Sequence, residues 1–388
     1  MSDALLWMEN TFFVERLCGV IIYSILTLYY YNRLKNPLPG ETPEKTLNKV
    51  MIFLCVLAFF YVPAPSADLS RWRTISSGWI GVPFKNWAAS YLKNVNSPLA
   101  YLLFYITANL KIKGLLPMTA CFVFYMNIFH ILKSEAAKKH ITSQSIAVCF
   151  FFFMSQGLFL GVISGLRNAM AFSIVARCMY DELVQKKSSF MNVIWCLVAS
   201  LIHVAVIPII AMYFVLTIYD NWSDRKTWKT VLKIVELLVL CAAAFKLGRR
   251  LLDSITTKAE YYTSGNSYSY MWEYLIGIAS CAVLVYTLMR YRKLPDKADI
   301  KGMYICSVIL LAMEIVLIRS YSIFHRFGNF SMYIMFPMMA SVLENERRND
   351  PLGENRHYES VVMLASCCML ILACMRGDLC GFKFFVLP

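Results

Sequence analysis

Residues Gly161–Phe172 read GVISGLRNAMAF. From Ile141 to Leu166 the chain carries no charged residue, and beyond Arg167 it stays small and apolar as far as Arg177. An arginine at hydrocarbon depth costs about 2.5–3.5 kcal/mol on insertion scales, so one placed here either sits at an interface or is retained for a purpose. Gly161, Ser164 and Gly165 loosen the chain between two apolar runs, and Arg167 and Asn168 open the second run. The stretch reads as two membrane helices meeting at a joint that carries a cation.

Composition agrees. The 388 residues are 59% hydrophobic and only 16% charged, with a mean hydropathy of +0.54. Soluble domains carry roughly 25% charged residues, so the fold class is an all-α polytopic membrane protein. No removable leader is expected, because Asp3, Glu9 and Glu15 face a single Arg16 near the start. The thirteen cysteines are scattered through apolar runs with no CxxC and no Cys/His cluster, which reads as helix packing. A net charge of +14 fits nucleic-acid binding or positive cytoplasmic loops, and the loops decide between them.

Apolar runs broken by polar clusters predict about twelve spans: 12–31, 50–65, 114–132, 144–163, 166–183, 190–203, 204–219, 230–247, 270–289, 303–321, 327–343 and 360–375. Residues 97–110 are apolar but short and read as an interfacial or re-entrant helix within an outer loop, 66–113; a second outer loop covers 248–269. Phe190–Ile218 is divided in two because Pro208 lies inside it and because charge requires the division. With both termini outside, the basic stretches RYRKLPDKADIK and ENERRND fall inside, together with Arg33, Lys35, Lys133, Lys138, Lys186, Lys187 and Arg225. That is the positive-inside pattern, and a single span over 190–218 destroys it.

The outer face is nevertheless rich in cations, among them Arg71, Arg73, Arg167, Arg249, Arg319 and Arg326. Cations on the face that topology keeps lean imply an anionic ligand; pairing with lipid headgroups is the alternative. At Arg167, free backbone N–H groups, the positive end of a helix dipole and a guanidinium converge, an arrangement suited to phosphate oxygens. An interfacial anchor is the competing reading. In LVASLIHVAVIPII, His203 falls at the outer junction of two short spans, with Pro208 bending the second; it serves either as a base or phosphate partner, or as a polar group closing a helix end. In YSIFHRFGNFSMYIMFP, His325 and Arg326 are expected at an outer turn, with Gly328 preceding a helix.

Asp68, Arg71 and Arg73 lie in the first outer loop with Trp72, Trp79 and Trp87 interleaved; if the segment is helical, Asp68 and Arg71 share a face. Tryptophan beside Asp and Arg fits carbohydrate, and so does the second loop with Tyr268 and Trp272, although an interfacial aromatic belt gives the same composition. There is no DxD, no phosphate loop of the GxxxxGK[ST] kind, no HExxH and no GxSxG. Energy therefore comes from a gradient or from an already activated substrate.

At these residues the chain resembles the EpsG-like branch of the Wzy polysaccharide polymerases. SGLRNAMAFSIVA, followed after a basic turn by LVASLIHVAVI, is similar to that family's arginine-headed helix and His-terminated short helix. ADLSRW and HRFGNFSMYIMFP match in kind and order, and the likeness covers roughly residues 60–340. The resemblance implies a GT-C-like glycosyltransferase of the bacterial inner membrane, working on the periplasmic face without metal, nucleotide or other cofactor. It would join undecaprenyl-diphosphate-linked repeat units into O-antigen, as in lipopolysaccharide biosynthesis, or into a related polysaccharide. A chain-length regulator is an expected partner and nucleic acid is not.

In such a reaction a sugar hydroxyl attacks the donor's anomeric carbon and lipid diphosphate leaves. Arg167 and Arg326 are the first candidates to hold the diphosphate, with Arg71 and Arg249 in reserve. Asp68 is the first choice for the proton acceptor, with His203, Glu273 and Glu314 as alternatives; Trp72, Tyr268 and Trp272 would contact sugar. Two rivals remain. An O-antigen ligase usually carries one large late outer loop, and 248–269 is short for that. A flippase for lipid-linked sugar tends to show internal repeats and midplane charges, neither of which is evident here.

Overall fold

The computed structural model describes residues 21–63, 68–92, 95–187, 190–223, 231, 234, 271–295, 300–316, 318, 321–350, 353 and 355–375. Among these every regular element is helical, with no strand. Caps mark the helix starts. Thr42 accepts from the Lys45 N–H ahead of Pro43, and Thr142 accepts from the Ser145 N–H; each satisfies one of the donors a helix leaves unpaired at its start.

In chain order the helices are α1 (21–35), α2 (Pro43–Phe60), α3 (Asp68–Ser77), α4 (Phe84–Tyr91), α5 (Pro98–Asn109), α6 (Leu115–Ala136), α7 (Ser143–Ser155), α8 (Leu158–Ser164), α9 (Leu166–Met179), α10 (Phe190–Ile202), α11 (Ile207–Ser223), α12 (Met271–Arg292), α13 (Lys301–Val316), α14 (Tyr321–Asn349) and α15 (His357–Met375). The segment 66–113, expected as the first outer loop, thus contains three helices, α3 to α5. Each other expected span among the described residues has a helix; the expected span 230–247, apart from residues 231 and 234, and the loop 248–269 lie outside the described residues.

Two differences from the hydropathy pattern have local causes. The expected span 144–163 is a bent pair, α7 and α8, at 58° to one another. Gly157 at φ +64 makes the bend, since a left-handed backbone suits a residue without Cβ. Second, His325, Arg326 and Gly328 lie inside α14, which begins at Tyr321 and runs through Gly328 and Pro337. One glycine costs a helix only about 1 kcal/mol and does not end it when both sides are packed.

α6, α7, α9 and α14 form the centre. Every residue of α7 from Ser145 to Ser155 is buried, including Phe150–Phe153, and α9 is buried along most of its length. α9 packs against α6, α10 and α14, while α7 packs against α14 and α15. The rim is apolar too: Ile52, Phe190, Trp195, Leu364 and Ile371 are exposed on helices that bury their other faces. A bundle apolar inside and outside belongs in lipid.

Among the described residues three helices are long and apolar enough to cross a membrane, within Leu115–Ala136, Tyr274–Arg292 and His357–Cys374, and the bent pair α7–α8 makes a fourth if it is one span. Association in lipid depends on close packing rather than on apolar burial. Ala169, Ala171, Ser173 and Ala176 give α9 the small surface this requires, and Asn127 on α6 donates to the Ser173 hydroxyl at 3.4 Å.

Candidate anion site at the head of the Arg167 helix

α9 begins at Gly165, and no side chain caps it, so its first N–H groups are left to whatever lies beyond the helix. Arg167 occupies the second helical position. Its guanidinium stacks over the Trp72 ring at 4.5 Å from the centroid, and Arg71 approaches the same ring at 5.4 Å. Trp72 is fixed from below by Phe104 at 5.0 Å and Tyr101 at 5.7 Å, both on α5. α5 is therefore the shelf on which this corner is built. Beside it, Trp87 stacks on Tyr105 at 4.4 Å and meets Trp79 at 5.7 Å.

Asp68 and Arg71 share one face of α3, as the i, i+3 spacing requires, and pair at 3.0 Å. Arg73 turns the other way and donates to the carbonyls of Tyr61 and Lys113 at 3.4 and 2.9 Å, latching α3 to the ends of α2 and α6. Burial draws the Arg73 guanidinium below its ordinary value, and those carbonyls are where its charge is placed. The groups whose charges act on Arg167 are Tyr101, Asp68, Arg71 and Arg326. Arg326 is delivered by α14, which meets α9 here through the edge-on pair Phe172–Phe330 at 5.6 Å.

Asp68, Arg71 and Trp72 of α3 thus meet Arg167 and Arg326 from distant parts of the chain. Among the described residues no carboxylate lies within ion-pair distance of Arg167 or Arg326. Arg167 is partly buried, and Asp68, the carboxylate of this corner, is already held by Arg71. The arrangement favours an anion from outside the chain, with planar donors matched to phosphate or carboxylate.

The other expected site residues are distributed differently. His203 is buried where α10 ends; its backbone is extended, and the 3-10 turn Val204–Val206 that follows packs against α9. α10 itself also packs along α9. Trp72 is only 7% exposed, and its ring face serves the guanidinium. Arg249 and Tyr268 lie outside the described residues, as do the side chains of Trp272 and Glu273.

Tyr101 is the member that sequence reasoning missed. It lies in the short apolar segment 97–110, whose only signal was length. No curated protein matches the chain, and no solved structure does. The family comparison is positive over 275 residues' worth of chain from Tyr101 to Met375, covering α5 through α15 with the arginine-headed helix inside it: the protein belongs to the EpsG family, whose description matches residues 101–375.

Proposed function

We propose that this member of the EpsG family polymerises undecaprenyl-diphosphate-linked oligosaccharide repeat units into O-antigen or a related surface polysaccharide, at the periplasmic face of the bacterial inner membrane. The family supports a polysaccharide-polymerase role in general. The finer reading is carried by one observation: a partly buried Arg167, stacked on Trp72 at an uncapped helix start, with Arg71 and Arg326 beside it and no carboxylate of its own. The chain is read as about twelve spans in a GT-C-like arrangement, with the arginine cluster on the outer side by the positive-inside pattern.

In this reading the diphosphate of the donor lies against Arg167, Arg326 and Arg71, and Arg249 would join from the second outer loop. Their charge is placed where negative charge grows as the anomeric carbon–oxygen bond breaks, which is the largest contribution such a site makes. Asp68 keeps Arg71 turned into the cluster. His203 closes the α10 end of the site. The acceptor hydroxyl attacks opposite the leaving group, with inversion, and the aromatic residues of the two outer loops line the glycan's path.

The test is a gel of surface glycan from cells lacking the gene, complemented with wild type or with Arg167→Ala at matched membrane level. Wild type restores a ladder and the variant leaves single repeats on the core. Loss of every glycan-bearing band in the deletion, single repeats included, would favour a flippase or ligase instead.

A further inference from the structure

Against α14 lies a small cavity lined by Gln156, Ser280, Glu314, His325, Gly328 and Asn329. Its free volume is about 10 Å³, room for one water-sized group. Glu314 is 0% exposed, and both of its carboxyl oxygens are buried with no hydrogen-bond partner. The neighbouring polar groups are turned to other partners. Gln156 donates to the Ser280 hydroxyl at 3.1 Å and lies 2.7 Å from the Met332 sulfur, and Asn329 and His325 meet at 3.1 Å.

Gly328 is what seats the carboxyl. A Cβ there would come within 2.6 Å of Glu314 Oε1, and the backbone is ordinary helix, so space and not conformation requires the glycine. A buried carboxylate without donors costs several kcal/mol. Gly328, which faces Glu314, lies two residues along α14 from Arg326, hence about 3 Å along the axis and at the same level of the bundle. Gln156 and Leu158 extend the cavity wall to the α7–α8 bend, and α8 leads directly to Arg167.

We infer that the Glu314 cavity receives the attacking hydroxyl of the acceptor glycan, and that Glu314 is the catalytic residue that takes its proton. This rests on the polymerase reading above. As the hydroxyl's lone pair forms the new bond to the anomeric carbon, its proton passes to a Glu314 oxygen. The old bond from that carbon to the phosphate oxygen breaks, and its electron pair leaves with the lipid diphosphate. The hydroxyl supplies the donor that Glu314 lacks in the free protein. Gln156 and Ser280 hold the cavity open, and Asn329 fixes the His325 ring at its mouth.

The experiment uses the full chain in liposomes with undecaprenyl-diphosphate-linked repeats extracted from a deletion strain, following elongation against pH. Among the described residues, the titratable groups around Glu314 are His325 on α14 and Cys281 on α12. Tyr213 and Glu182, on the other two elements packed against α13, bond to one another instead. Wild type should elongate, with a rate that rises as Glu314 loses its proton. Glu314→Gln keeps the shape and should lower the rate at least about 100-fold, with that rise in rate abolished. Its thermal midpoint should be unchanged or higher, which a merely structural role would not give. Gly328→Ala, which crowds the carboxyl without touching its charge, should lower the rate as well. Wild-type elongation with Glu314→Gln equally fast and equally pH-dependent overturns the role of Glu314 alone. No elongation by wild type overturns the polymerase reading and this inference with it.

Discussion

α14 carries an arginine near each end, Arg326 and Arg347, about 30 Å apart along one helix. Their surroundings differ in kind. Arg347 is buried, pairs with Glu359 at 2.5 Å and bonds Gln144. Around it Glu346 accepts from the Tyr358 and Glu359 N–H groups at 2.8 and 2.9 Å, capping α15, while Arg290 stands 3.6 Å away. Glu344 accepts from the Thr142 N–H and hydroxyl, both at 2.9 Å, and from the Ser145 hydroxyl at 3.0 Å, capping α7. At the other end Arg326 and Arg167 have an aromatic ring and other cations for neighbours. At Arg347, where the chain uses arginine to hold α14 to α15 and α7, it supplies the carboxylate; at the head of α9 it leaves that anion to come from elsewhere.

The largest effect expected from this difference is on turnover. Arg167→Ala should cut elongation about 100–1000-fold, the range for removing one preorganised charge from a developing anion. Arg167→Lys should restore little, because an ammonium lacks the planar fork that stacks on Trp72 and grips two oxygens. Both variants should insert like wild type and lose at most about 0.5–2 kcal/mol of stability, the worth of the contact with Trp72, since no ion pair within the protein is lost. A variant that is inactive and also unstable would make the head of α9 resemble the Arg347 end and dissolve the contrast.

Arg347→Ala should do the reverse. It leaves Glu359 only the looser Arg356 at 3.8 Å and removes one of the ties between α14, α15 and α7, a loss of at most about 3–5 kcal/mol, the cost of depriving a buried pair of one partner. A thermal melt of the purified protein in detergent checks it. Activity per folded molecule should stay near wild type.

How far the sequence shows this contrast depends on the range of the interaction. The joint at Gly165, the helix opened by Arg167, the break at His203 and the Asp68–Arg71 pair follow from local spacing, and each stands where the pattern puts it. The bend at Gly157 and the early start of α14 at Tyr321 escape the hydropathy pattern, because a single glycine permits a bend or a continuous helix and tertiary packing selects between them. Contacts between distant segments leave no periodic trace. Arg167 meets Trp72 from nearly a hundred residues away, Glu344 caps a helix that begins two hundred residues earlier, and Glu314 fits over Gly328 only once α13 has folded back on α14.

Trp72→Leu sharpens the comparison at an intermediate scale. A cation over an aromatic face is worth about 0.5–2 kcal/mol, so removing the ring while keeping apolar bulk should weaken substrate use by roughly 2- to 30-fold. The change should appear in KM for lipid-linked repeats more than in kcat, because the ring aims the guanidinium and does not itself meet developing charge. An equal fall in both would mean that the ring shapes the transition state directly.

The smallest effect concerns Asp68. Its pair with Arg71 is exposed on both sides, 54% and 60%, and such pairs contribute at most about 1 kcal/mol. If Asp68 only steers Arg71 into the cluster, Asp68→Asn should slow elongation less than about fivefold, a change a pair of that strength can support. The amide still accepts a hydrogen bond from Arg71, so most of the steering survives. A proton acceptor behaves otherwise: its amide should cost at least about 100-fold. Measuring Asp68→Asn beside Glu314→Gln in one elongation assay therefore separates the two carboxylates by role. A large loss at Asp68 with none at Glu314 would move the proton transfer to Asp68.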